Sequence, residues 1–230
     1  MKFICLKKIA LNVFVTLPCL TLMMAAKPVP HQLETLKSPP KGLSKAVADS
    51  LNPNGFAIKG PKGSVCEIWL AKSIPVTPGF KPTLNVKYPF KAGELIGALR
   101  VPENQKFTDF RGQELKPGVY TLRYGKQPED GNHIGTSELA DFLLAIPGKI
   151  DKSPKAISLV DTLHSRSAKS SGGTHPAIFS LLPGKKIEKS TLAHDSDKEF
   201  WILTTNASGK AKGKMVSVPL RMVVIGKSAE

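Results

Sequence analysis

Short runs of β-branched and aromatic residues, cut at close intervals by Gly and Pro, predict a mainly β chain: a two-sheet antiparallel sandwich or jelly roll with one helical crossover. Three observations carry this. Runs that suit half-buried strands recur from 56 to 225 with Gly and Pro turns between them, in a chain that holds 19 Gly and 19 Pro in all. Strands do not alternate with helices, as a parallel sheet would need. Within that interval only 153–167 carries helical periodicity.

Taken in order, residues 1–26 read as a signal peptide. Lys2, Lys7 and Lys8 precede the apolar run 9–24, and Met24-Ala25-Ala26 offers small residues for cleavage. Asn12 and Pro18 interrupt the run, which is short for a membrane span of about 20 residues. Cys19 raises lipidation as an alternative, but Thr16-Leu17-Pro18 ahead of it fit that signal poorly. Export to the periplasm or beyond the cell is the expectation.

Residues 27–55 read as a flexible leader, rich in Pro and Lys, that includes a short helix. Leu43, Val47 and Leu51 give that helix its apolar face, and Asn52-Pro53-Asn54-Gly55 ends it. A single β-sandwich domain is expected over 56–230. Its strands are read at 56–59, 64–72, 83–88, 94–101, 118–124, 139–146, 177–182, 200–205 and 215–225. Between them, Ser153 as a cap, Pro154 at the first helical position and the stripe Ile157, Leu159, Val160, Leu163 predict a helix over 153–167. Asn206-Ala207-Ser208-Gly209 opens a polar link in a C-terminal hairpin. Pro219 marks the last strand as an edge or a broken strand.

Composition narrows the function classes. Cys5 and Cys19 lie in the signal segment, so Cys66 is the only thiol beyond it and no disulfide is expected. Its apolar run Val65-Cys66-Glu67-Ile68-Trp69-Leu70 predicts a buried thiol, and no histidine stands near it for copper. The formal charge is +15, three units of it from the signal lysines. Arginine appears only at Arg100, Arg111, Arg123, Arg166 and Arg221. Scattered lysines without arginine and aromatic clusters argue against nucleic acid. They suit a solvated basic surface or attraction to an acidic envelope or polysaccharide component.

No P-loop, GxGxxG, HExxH, GxSxG or paired CxxC is present, so no cofactor is assigned. The candidate site is the loop 128–135, where Asp130, Asn132 and His133 bring carboxylate, amide and imidazole together. Such a set serves a metal, a sugar or a proton transfer, or merely bonds its own turn. His175, between Thr174 and Pro176, becomes a second metal ligand if it meets His133. Arg111 in Asp109-Phe110-Arg111-Gly112 and Asp141 at the start of a strand complete the candidate ligand-binding set. Asp141 is a partner for Arg111 or Arg123, and alternation along 118–124 places Arg123 on an outer face or rim. Glu67 and Trp69 share a strand face that would suit a sugar groove.

In Asp109-Phe110-Arg111-Gly112-Gln113, the strand that follows it, the DGNHIG loop and the later Thr174-His175-Pro176, the chain resembles a group of bacterial exported proteins of unknown function. The resemblance implies export and a β-sandwich, and brings no activity. The expected function is therefore an exported, non-catalytic binding or accessory protein of the envelope. A metal-dependent enzyme using His133 and His175, or a structural envelope protein, is the alternative.

Overall fold

The structure, a computed structural model, describes residues 31–103, 105–127 and 139–228. In chain order its elements are β1 (Gln32–Leu36), α1 (Lys45–Ser50), β2 (Leu51–Gly60), β3 (Gly63–Ala71), β4 (Ile74–Pro75), β5 (Leu95–Val101) and β6 (Phe107–Thr108). They continue as β7 (Glu114–Leu115), β8 (Gly118–Lys126), β9 (Asp141–Pro147), α2 (Val160–Ala168), β10 (Ala177–Leu182), β11 (Thr191–Asp195), β12 (Phe200–Ala211) and β13 (Lys214–Ile225).

The chain is mainly β, as its punctuation predicts. An 11-stranded sheet runs β1-β2-β3-β5-β8-β9-β10-β13-β12-β11, with β4 parallel to β12, beside a small β6-β7 pair. The large sheet curls until its end strands β1 and β11 approach each other. A continuous mixed ladder does not confirm the two-sheet division of a sandwich or jelly roll. Helix α2 is the expected helical crossover, between β9 and its antiparallel partner β10. Among the described residues no helix is long and apolar enough to cross a membrane.

Pleating decides the core. Tyr120, Leu122 and Tyr124 of β8 face the main cluster together with Leu143 and Ala145 of β9. The alternate residues Phe142, Leu144 and Ile146 turn the other way, to a second cluster beneath Leu163 of α2. Burying each Leu, Ile or Phe side chain among these contributes about 1.5–3 kcal/mol.

Several expectations change for physical reasons. Inside the segment read as a flexible leader, 32–36 form β1, paired with β2 from Gln32↔Lys59 to Leu36↔Gly55. The stretch 83–88 is not a strand, and β11 is a strand that alternation did not reveal. β12 and β13 pair without a long link down to Ala211↔Lys214. Their turn instead uses Lys212 and Gly213 at φ 47° and 81°, the backbone sense of a tight hairpin. Pro219 sits opposite Asn206 within β13. β13 meets β10 only at Arg221 and Met222, so no ladder on that flank needs an N–H from Pro219.

The helix expected over 153–167 begins only at Val160. Arg123 explains the delay, and it is not on an outer face: its side chain is wholly buried. Nε and Nη2 donate to Asp151 at 2.8 and 2.9 Å. Nη2 also donates to the Ser153 carbonyl at 2.5 Å, and Nη1 to those of Lys155 at 2.7 Å and Gly93 at 3.0 Å. Carbonyls that would start the helix are thus engaged by a guanidinium. Ile157 N–H donates to Gly93 O at 3.2 Å. Gly93 is required there: at φ +83°, a Cβ would stand 2.0 Å from Ile157 O.

Where the ends of the sheet approach, Trp201 of β12 lies between two imidazoles. His31 is tilted 60° against it and His194 is stacked at 20°, each with ring centroids 4.7 Å away. Burial, then the neighbouring His194, hold His31 below its ordinary value. Charged groups near this seam include Glu34, which pairs with Lys59 at 3.5 Å, Glu199, 3.3 Å from His194 Nε2, and Asp195, next to His194 on β11. A histidine depressed in the folded state binds its proton more readily when unfolded. Stability linked to His31 is therefore full above about pH 6.5 and is lost as pH falls through the lowered folded value. The urea midpoint should drop further between pH 8 and pH 5.5 in the wild type than in His31→Gln. Equal drops would show that His31 does not titrate with folding.

Candidate functional site

The site is built on a turn that knits two distant segments. After β6, Asp109 is fully buried. Its Oδ1 accepts the N–H groups of Arg111 at 3.0 Å and Gln113 at 2.7 Å, which folds the chain back toward β7. Its Oδ2 accepts Gln113 Nε2 at 2.9 Å and Ile178 N–H, on β10, at 3.0 Å. Gln113 Nε2 also donates to Pro176 O at 3.0 Å, and Ser171 Oγ donates to Gln113 Oε1 at 3.2 Å. Phe110 N–H donates to Ile178 O at 2.8 Å. Burial raises the Asp109 carboxyl above the usual carboxylate range, and its N–H donors offset part of that rise.

This clamp fixes the segment that carries Arg111, and Arg111 and His175 line one cavity of about 150 Å³. Its floor is Phe142 and Leu144 of β9 with Ile178 of β10; Lys126, the last residue of β8, and Gln127 after it lie at its edge, and His164 of α2 completes the rim. Gly125 lets the floor close, because a Cβ there would lie 2.1 Å from Leu144 Cδ1. Helix α2 is held over β9 and β10 by Ser167 Oγ, which donates to Ala145 O at 2.8 Å and accepts Ala177 N–H at 3.1 Å. Among the described lining residues the side chains able to carry charge are Arg111, Lys126, His164 and His175, and none is a carboxylate. Guanidinium and ammonium groups above an apolar floor suit an anion with a small apolar body.

The expected site residues separate. Arg111 and His175 come together. Asp130, Asn132 and His133 lie outside the described residues. Asp141 pairs with neither Arg111 nor Arg123: it takes the Tyr124 hydroxyl at 2.5 Å and the Lys87 N–H at 2.7 Å. Burial raises its carboxyl, against the pull of those donors. Glu67 and Trp69 form no sugar groove. Arg100 holds Glu67 through two bonds of 2.6 and 2.7 Å, and Trp69 is buried with its Nε1 donating to Ser38 O at 2.9 Å. Cys66 is buried, and its thiol is pushed far up by that burial. Among the described residues no three His, Cys, Asp or Glu side chains gather as a metal site.

Sequence reading missed Lys126, His164 and the apolar floor. His164 falls within the helix predicted over 153–167 and Phe142 within the strand read at 139–146, with nothing local to set either apart. No family model, no curated protein and no solved structure matches the chain.

Proposed function

We propose that this chain is an exported, non-catalytic binding or accessory protein of the bacterial envelope. Its ligand is a small acidic envelope or polysaccharide component seated against Arg111 and His175. One observation carries the reading: a rim of basic side chains over an apolar floor, with no carboxylate among the described lining residues. At about 150 Å³ the cavity is smaller than the roughly 300–1,000 Å³ of drug-sized sites, so it suits one acidic group and its ring or chain, not a polymer. Export rests on the composition of residues 1–26, and the resemblance of the DFRGQ and THP segments agrees with it. A sandwich-like arrangement belongs to the same reading. What supports it is β10, whose residues 177–180 pair with β9 while Leu181 and Leu182 pair with β13, as a strand does when it passes from one leaf to another.

The test is titration with galacturonate and with neutral galactose, followed by amide NMR. Galacturonate should shift the signals of Arg111, His175 and Ile178. Arg111→Gln should weaken binding about tenfold, roughly 1.4 kcal/mol, while the unfolding midpoint stays within the scatter of the wild type. Equal binding of galactose, or undiminished binding by Arg111→Gln, would sink the proposal.

A metal-assisted enzyme using His133 and His175 is the second reading, favoured by the presence of His164 on the same cavity as His175. Metal analysis of the purified protein separates the two. Stoichiometric metal lost in His175→Ala supports the enzyme, and metal-free protein that still binds galacturonate removes it. A structural envelope role is what remains if neither acid nor metal binds.

A further inference from the structure

A second surface, sharing no lining residue with the Arg111–His175 cavity, has a different character. β4 pairs with β12 at Gly209 and Lys210, and Val76 N–H donates to Lys210 O at 3.1 Å. This lays the segment 76–89 along the β12–β13 hairpin, and a bond of 2.9 Å from Thr77 N–H to Pro89 O closes its base. Between them runs an open groove of about 630 Å³, floored by Val76, Phe80 and Val218 and edged by Pro78, Pro82 and Pro183.

Charge is segregated around it. The framing segments are 72–93, 183–187 and 207–221. They carry Lys72, Lys81, Lys87, Lys91, Lys185, Lys186, Lys210, Lys212, Lys214 and Arg221, of which Lys87 lines the groove itself, and the nearest acids in sequence are Glu94 and Glu188, one residue beyond the first two segments. Among the described residues none of these lysines pairs with a carboxylate. Lys81, Lys185, Lys186, Lys210, Lys212 and Lys214 are exposed.

We propose that this groove binds an extended carboxylated polysaccharide. Lysines are point charges on flexible stems, so a row of them favours repeated anionic groups over one oriented anion. Phe80 and the proline rings present flat C–H surfaces to the apolar faces of sugar rings. Prolines lack an N–H, so this edge offers few donors to an added peptide strand. Single-stranded nucleic acid is read by arginines and several stacking aromatics. Here Arg221 bonds Pro183 O at 3.3 Å, and Phe80 is the part-exposed aromatic of the groove. Leu84, Met215 and Val216 stand exposed on these segments, fewer than the wide apolar face that a helix lays on a bilayer, so anionic vesicles are the comparison that decides.

The experiment is affinity electrophoresis of the full mature protein through gels holding polygalacturonate, with neutral dextran as the blank. Anionic lipid vesicles and single-stranded DNA are compared by co-sedimentation. Retardation by polygalacturonate is expected at about 50 mM salt and should be abolished near 500 mM, because the contacts are screened. Replacing Lys81, Lys210 and Lys214 by Gln should weaken it at least tenfold. The same charge change at Lys37, Lys41 and Lys106 should weaken it less than threefold. Arg111→Gln should leave it unchanged, which separates this groove from the small-acid cavity. Three outcomes overturn the proposal: no retardation at low salt, equal loss in the two triple variants, or stronger binding of vesicles or DNA than of polygalacturonate.

Discussion

Replacing Arg123 by methionine is expected to lower stability by about 3–5 kcal/mol, the range for removing one partner of a buried ion pair. At about 2–4 °C per kcal/mol for a domain of this size, the melting temperature should fall by roughly 6–20 °C. The loss is large because the guanidinium serves several acceptors at once. Without it, Asp151 remains as a charge only 1 % exposed, keeping a single side-chain donor, Thr121 Oγ1 at 2.5 Å. The carbonyls of Gly93, Ser153 and Lys155 also lose a donor. Asp151→Asn keeps the shape and one acceptor oxygen and should cost less. Combining Arg123→Met with Asp151→Leu should cost clearly less than the sum of the single changes, since no lone charge is left behind. Urea melts of the wild type, Arg123→Met, Asp151→Asn, Asp151→Leu and the double variant check this. Additive losses would mean that the carbonyl bonds, and not the ion pair, hold the segment 151–157 against β8.

The same network shows where sequence reasoning stops. Alternation along 118–124 correctly divided Tyr120, Leu122 and Tyr124 from Thr121 and Arg123. It sent Arg123 outward because a charged residue on a strand is normally solvated. What keeps it inside is Asp151, 28 residues further on, and no local pattern announces a pairing at that distance. The helix start at 153 failed for the same reason, since the capping and propensity signals were real but tertiary acceptors outweighed them. Glu67 and Arg100 illustrate the middle case. They stand directly opposite in the β3–β5 register, so their pairing follows once register is known and not before. For the site, Arg111 and His175 were legible as chemistry-bearing residues in turn-rich segments. Their meeting was not, because it depends on a carboxylate whose sequence signature is only that of a tight turn.

That carboxylate makes the second large prediction. Asp109→Ala should cost about 3–4 kcal/mol, because four N–H donors around a buried position lose their acceptor together. Each such orphan costs about 1–3 kcal/mol, and neighbours in one network do not add in full. Asp109→Asn can still accept through Oδ1 from Arg111 and Gln113. It presents an NH₂ group to Gln113 Nε2 and Ile178 N–H, so it should lose about half as much. The two readouts together decide what the turn is for. Arg111→Gln is expected to lose ligand and keep stability, since its side chain points at the cavity and its backbone makes the clamp. Asp109→Asn should lose both, because the clamp fixes Arg111 and the start of β10, which carries Ile178, in one unit. If Asp109→Asn unfolds earlier yet binds galacturonate like the wild type under folded conditions, the clamp supports the fold alone and the cavity forms without it.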